Sequence, residues 1–159
     1  MISSSEQQNQ SWEEDNGVLG QHECITISSI MIPKVITLDR NSTLRDALRL
    51  FRTHNLRHLV VVNEKMHVQG IFTKRDLLAV EGPGLDRSIV SVANTEVRTA
   101  YPDTCIRVVA QTMLHHKIGC MPIVDASTTH RVLVGIVTEA DFVRSFALTA
   151  QCVCGVMHA

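Results

Sequence analysis

The chain writes one pattern twice, and that duplication constrains its fold more than any other feature. "SIMIPKVITLDRNSTLRDALRLFRTHNLRHLVVVN" at 29–63 aligns without a gap on "SVANTEVRTAYPDTCIRVVAQTMLHHKIGCMPIVD" at 91–125. Val35 and Val97, Arg45 and Arg107, and His54 and His116 all stand 62 positions apart. Beyond this stretch the second copy gains three residues in "ASTTHRVLV", and Gly70 and Gly135 stand 65 apart. An insertion confined to a polar turn, with both flanks in register, marks a duplicated unit.

Each copy reads as strand, helix, strand, strand, helix. "KVITL" and "EVRTA" are short β-rich segments. Leu44, Ala47, Leu48 and Phe51 follow the i, i+3, i+4, i+7 spacing of a buried helix face, and Ile106, Val109, Ala110 and Met113 repeat it. Thr43 with Asp46 forms a capping-box pattern at the first helix start, and Thr104 is the expected cap of the second. "LVVV" and "MPIV" are unbroken apolar runs of the kind that strands buried on both faces show. Short strands at "IF" and "IV" then lead into helices at Thr73 and Thr138. The breaker "EGPG" separates the copies. The expected division is a polar tail at 1–22, repeat 1 at 23–80, a linker at 81–87, repeat 2 at 88–148 and a C-terminal tail at 149–159.

Composition excludes several classes. The 159 residues are 45% hydrophobic and 19% charged, a folded rather than a disordered profile. With 15 basic and 16 acidic residues the net charge is −1, so the broad attraction of a nucleic-acid binder is missing. No apolar run approaches the roughly 20 residues of a membrane span. The polar, acidic start is the reverse of a signal peptide. Five cysteines, an odd number without framework spacing, point to reduced thiols and a cytoplasmic setting. Cys105 and Cys120 are expected to be buried as small apolar residues.

The two copies, in order, spacing and helix pattern, resemble a tandem pair of CBS domains, the module named after cystathionine β-synthase. The resemblance runs from about residue 24 to 146 and implies an α+β fold. Its two βαββα repeats would pack through their sheets with pseudo-two-fold symmetry and leave two clefts between them. It also implies a stand-alone regulatory protein, not an enzyme, that needs no cofactor. The implied ligand is adenosyl: AMP, ADP, ATP or S-adenosylmethionine. The expected partners are a second copy in a homodimer and an effector protein, with neither nucleic acid nor membrane.

The sharpest motif is "GIFTKRD" at 70–76 and "GIVTEAD" at 135–141. One reading is structural: Thr followed three residues later by Asp is close to a capping box. The other is functional. A helix N-terminus seats phosphate, a carboxylate one turn in can accept a ribose cis-diol, and Gly70 and Gly135 allow close backbone approach. The resemblance gives Asp76 and Asp141 the ribose and Thr73 and Thr138 the phosphate. It sets Pro33, Lys34, Val35, Arg57 and His58 as walls of the Thr138–Asp141 cleft, and Thr95, Val97, Cys120 and Pro122 as walls of the Thr73–Asp76 cleft. Lys74 and Arg75, replaced by Glu139 and Ala140 in the second copy, favour the first motif for phosphate. Val60, where the family often has Pro, and "SVAN" depart from the pattern. A ligand-free dimerisation or scaffold module, with both motifs acting only as caps, stays open beside the sensing reading.

Other constellations carry less. His115 and His116 are adjacent on a helix, where side chains are expected to diverge, and Cys152-x-Cys154 lacks a partner pair for zinc. Neither a phosphate-cradling P-loop nor a nucleophile elbow occurs. Trp12 stands alone in the acidic tail.

Overall fold

A computed structural model describes residues 24–79 and 84–149 of the chain. The tail at 1–22 with Trp12, the linker centre at 81–83 and residues 150–159 with Cys152 and Cys154 lie outside the described residues. Each copy opens on a 3₁₀ turn, Ile27–Ser29 and Ile89–Ser91. The first continues as β1 (Thr37–Asp39), α1 (Leu44–His54), β2 (His58–Val62), β3 (Val68–Thr73) and α2 (Lys74–Leu78). The second gives α3 (Ile106–His116), β4 (Cys120–Val124), β5 (Leu133–Thr138) and α4 (Glu139–Thr149). α1 to α3 and β2 to β4 keep the offset of 62, and β3 to β5 keep 65, as the alignment requires.

β1 runs parallel to β2, which pairs antiparallel with β3; β4 pairs antiparallel with β5. The strand expected in "EVRTA" shrinks to a single parallel bridge between Ala100 and Ile123. Two prolines account for the loss: Pro122, the counterpart of Val60, has no N–H for the preceding pair, and Pro102 has none for the following one. Arg40 extends β1 by donating its backbone N–H to Val62 O at 2.9 Å, and its counterpart is Pro102, which has no N–H to donate.

The unbroken apolar strands are explained by burial on both faces. Leu59 and Val61 pack with α1 residues Leu44, Ala47 and Phe51, whereas Val60 and Val62 face the other copy. In the second copy Met121 and Ile123 lie with Val109 and Met113 of α3, while Cys120 and Val124 join Val60, Val62, Val68 and Leu133 between the sheets. The repeats therefore pack through their sheets. Each fully buried Leu, Ile or Phe here stabilises the fold by about 1.5–3 kcal/mol.

The copies also exchange their lead-in segments. Ile27 sits in the core of the second copy and Ile89 in the core of the first. Ile27 donates its N–H to Thr104 O at 2.8 Å, and Ile89 donates to Ser42 O at 2.9 Å. Ile106 donates to Ile25 O at 2.9 Å, and Leu44 to Arg87 O at 3.1 Å. These four bonds form two copy-exchanged pairs. Residues 84–87, expected as linker, are thus partly docked on the start of α1, with Arg45 N–H also bound to Leu85 O at 2.8 Å.

The helix starts differ. Thr43 and Asp46 form the expected capping box. Thr104 does not cap α3: its hydroxyl accepts from Tyr101 N–H at 3.0 Å, and the cap position belongs to Cys105, without a side-chain cap bond. Cys105 is half-buried and bonded to Cys24 in a disulfide with Cα atoms 5.7 Å apart. The expectation of reduced, buried thiols therefore fails for this pair and holds for Cys120, the free cysteine among the described residues, which is 3% exposed.

Candidate functional site

Both Thr-x-x-Asp motifs are built as caps. The amide and hydroxyl of Thr73 donate to Asp76 Oδ2 at 2.8 and 2.7 Å, and Asp76 N–H returns to the Thr73 hydroxyl at 3.2 Å. Thr138 donates in the same way to Asp141 Oδ2, at 2.8 and 2.7 Å. In each motif the cap engages one carboxylate oxygen and leaves Oδ1. The surroundings then diverge. Asp141 is 3% exposed, and its Oδ1 accepts Arg144 Nη1 at 2.7 Å. Asp76 is half-buried.

The glycines serve the protein rather than a ligand. A Cβ on Gly135 would lie 2.9 Å from Met31 Sδ and 3.3 Å from Ile32 O; one on Gly70 would lie 3.1 Å from Asn94 O. What approaches each glycine is the lead-in segment of the opposite copy. Ile32 and Ile136 exchange backbone bonds at 2.8 and 3.0 Å, and Ile71 and Asn94 do the same at 2.9 Å.

That crossing forms one wall of a cavity of about 360 Å³ between the copies. The first copy supplies Ile32, Lys34, Val35, Ile36 and the α1–β2 corner from Asn55 to His58; the second supplies Ile136, Thr138, Ala140, Asp141 and Arg144. Val35, Ile36 and Ile136 bring apolar groups to the lining and Lys34, Arg57 and Arg144 bring basic ones, of which Arg144 pairs with Asp141. Burial and the Arg57 charge hold His58 below its ordinary value, against the pull of Glu139 and Asp76. Burial pushes the Cys120 thiol up to about 12, so it stays protonated.

Of the expected residues, Lys34, Val35, Arg57, His58, Thr138 and Asp141 meet in this cavity. Pro33 is exposed beside it. Thr73, Lys74 and Asp76 lie at the other motif, where Lys74 and Arg75 point their charge to solvent. Thr95 is exposed, and Val97, Cys120 and Pro122 are core residues, with Val97 and Cys120 in the layer between the sheets. Arg144 was missed in the sequence, although i,i+3 spacing from Asp141 on a helix was a usable signal.

A second cavity of about 490 Å³ lies by the β2–β3 turn and is lined by polar residues, Arg40, Asn63, Glu64, Lys65, His67 and His130, without an aliphatic side chain among them. His115 and His116 meet edge to face with centroids 4.7 Å apart rather than diverging. Among the described residues no group of three or more His, Cys, Asp or Glu could hold a metal ion, and no helix is long and apolar enough to cross a membrane.

Two copies of one α+β unit, joined through their sheets with a cleft of mixed apolar and basic lining between them, define a tandem-repeat module. The CBS domain family model matches residues 27–82 and 89–148, and the chain belongs to that family. It is similar to the CBS domain-containing protein YhcV of Bacillus subtilis, 30% identical over 73% of this chain and 81% of that one. Among solved structures, a Vibrio cholerae protein assigned to acetoin utilization (AcuB) superposes with a TM-score of 0.70 at 34% identity, covering 79% of this chain and 91% of the other. The CBS domain pair of protein MJ0100, in complex with 5′-methylthioadenosine and S-adenosyl-L-methionine, also gives 0.70 at 29% identity, covering 78% and 97%. Several curated relatives are far longer: the chain spans 24% of the L-aspartate semialdehyde sulfurtransferase of Methanosarcina acetivorans, at 25% identity over 76% of this chain.

Proposed function

We propose that the chain is a non-catalytic regulatory module that binds a phosphorylated adenosine nucleotide in the Lys34–Asp141 cavity and passes its occupancy to another protein. The observation that carries this reading is the cavity lining: apolar Val35, Ile36 and Ile136, the buried Asp141 carboxylate, and basic Lys34, Arg57 and Arg144. In this reading adenine lies against Val35, Ile36 and Ile136. The ribose diol takes Asp141 Oδ1 in competition with Arg144, and phosphate meets Thr138 and the α4 N-terminus with Lys34 and Arg57. The MJ0100 pair, bound to adenosyl compounds at 29% identity, supports the ligand class. The sulfonium of S-adenosylmethionine is itself cationic, so Lys34, Arg57 and Arg144 favour AMP, ADP or ATP over it. The phosphate preference first given to Lys74 and Arg75 moves to the second motif, because the corner bearing Arg57 faces across the copies.

Ligand bridging both copies would favour one relative arrangement of them, and it acts only through its differential affinity for the arrangements. A second copy of the chain and an effector protein are the partners in this reading. Exposed apolar residues on the outer helices, Val108, Leu114 and Val143, support a protein-facing surface. Cytoplasmic placement belongs to the same reading, and there the Cys24–Cys105 bond is a reversible feature rather than a permanent staple.

A ligand-free scaffold has one observation in its favour: the Thr73–Asp76 box is complete as a cap without any ligand. Melting curves with millimolar AMP, ADP, ATP and S-adenosylmethionine separate the two. A ligand at 100 times its Kd stabilises the protein by about 2.7 kcal/mol. Upward shifts with the nucleotides support sensing; no shift with any of the four favours the scaffold.

A further inference from the structure

We propose that Cys24 and Cys105 form a thiol–disulfide switch that clasps the lead-in strap of the first copy onto the second and thereby tunes the Lys34–Asp141 cavity. The ligand half of this inference rests on the nucleotide reading above; the clasp half does not. Cys105 stands where the other copy has Thr43, so α3 forgoes the side-chain cap that α1 possesses. Cys24 stands 62 positions before Asp86, which pairs with Arg45 at 3.0 Å on the surface. One of two equivalent junctions is thus held by an exposed ion pair and the other by a covalent bond.

The clasped junction leads directly to the cavity. From Cys24 the strap binds α3 through Ile25, buries Ile27, pairs Ile32 with Ile136 and then supplies Lys34 and Val35 to the cavity wall. Cys24 is exposed and Cys105 half-buried, so the pair is open to exchange. Cys120, buried and protonated, is not, since the thiolate is the reactive form. The reductant is a dithiol. Its thiolate attacks one sulfur of the bond to give a mixed disulfide, and its second thiol displaces the protein sulfur. Two electrons and two protons end on Cys24 and Cys105, and the reductant leaves as a cyclic disulfide. With the bond open, the strap keeps its backbone bonds and the packing of Ile27, Ile30 and Met31 but loses its covalent anchor, and the Lys34–Val35 wall loosens.

The test uses the full chain, oxidised and after dithiothreitol, with two readouts. Hydrogen–deuterium exchange follows the amides of Ile27 and Ile32, and calorimetry follows AMP. Reduction is expected to speed exchange along 25–36 and to weaken AMP by roughly 5-fold or more, the lower range of an allosteric coupling. C24S should match the reduced protein and ignore dithiothreitol. C105T, which restores the residue that caps α1, should do the same while keeping α3 protected. Unchanged exchange along the strap on reduction overturns the clasp. Faster exchange with unchanged AMP affinity overturns its link to the cavity. Faster exchange with no AMP binding in either state upholds the clasp and instead refutes the nucleotide reading.

Discussion

Arg144 and Asp141, one turn apart on α4, hold each other at 2.7 Å through Nη1 and Oδ1, while the second oxygen of the same carboxylate accepts the amide and hydroxyl of Thr138. Asp141 therefore has two duties on separate oxygens, cap and cavity, whereas Asp76 lies outside that cavity. Asp76→Ala should cost about 1 kcal/mol in urea unfolding, the worth of a cap, and leave AMP affinity unchanged. Asp141→Ala should cost about 1–2 kcal/mol and abolish AMP binding. Equal effects of the two variants on AMP would refute the division.

Gly135 admits the strap. Gly135→Ala puts a Cβ 2.9 Å from Met31 Sδ and 3.3 Å from Ile32 O, and the carbonyl cannot yield as the thioether can. The expected cost is about 1–3 kcal/mol, the range of overpacking. AMP should weaken as well, because Lys34 and Val35 follow directly in the displaced strand. Wild-type stability for the variant would mean that the strap and β5 are less tightly apposed.

His58 predicts a pH dependence of both stability and binding. Its native value lies below the ordinary 6.5, through burial first and Arg57 second. Just below pH 6.5 the unfolded chain therefore binds more protons than the native one, and stability falls as pH falls. Above 6.5 both states are neutral there and the contribution vanishes. The lowered carboxylates of Asp46 and Asp125 titrate below 3.8 and stay out of this window; His116, also lowered, adds to the same slope. His58→Gln should flatten the loss between pH 7 and 5.5 in thermal melts. The AMP phosphate loses charge over the same interval, its second pKa being about 6. Protonation of His58 adds a cation to the cavity, so AMP affinity should fall less in wild type than in His58→Gln as pH drops. A profile identical to wild type in His58→Gln would remove this residue from the account.

Much of this architecture was legible because duplication is read by offset alone, and the offset of 62 carried α1 onto α3 and β2 onto β4. What escaped notice depended on single atoms or on through-space neighbours. The missing N–H groups of Pro102 and Pro122 reduced a strand to a bridge, and the residue in place of a capping Thr, Cys105, has a covalent partner 81 positions away. Gly70 and Gly135 were conspicuous in the sequence, but the strand that needs their space comes from the other copy. Lys34 and Arg57, expected from the resemblance as walls of the Thr138–Asp141 cleft, do line the cavity there, and Arg144 joins them. Lys74 and Arg75 adjoin their motif along the chain, while Lys34, Arg57 and Arg144 gather at the other motif across the interface.

The most direct test is calorimetric titration of AMP and S-adenosylmethionine into the wild-type chain and Arg57→Ala. The account predicts AMP binding to wild type, tighter than S-adenosylmethionine, and at least about 10-fold weaker AMP in Arg57→Ala, the loss of one charge-assisted bond of roughly 1.5–3 kcal/mol. S-adenosylmethionine should lose little in the same variant. AMP affinity unchanged by Arg57→Ala, or S-adenosylmethionine bound more tightly than AMP, would contradict the phosphate-binding cavity.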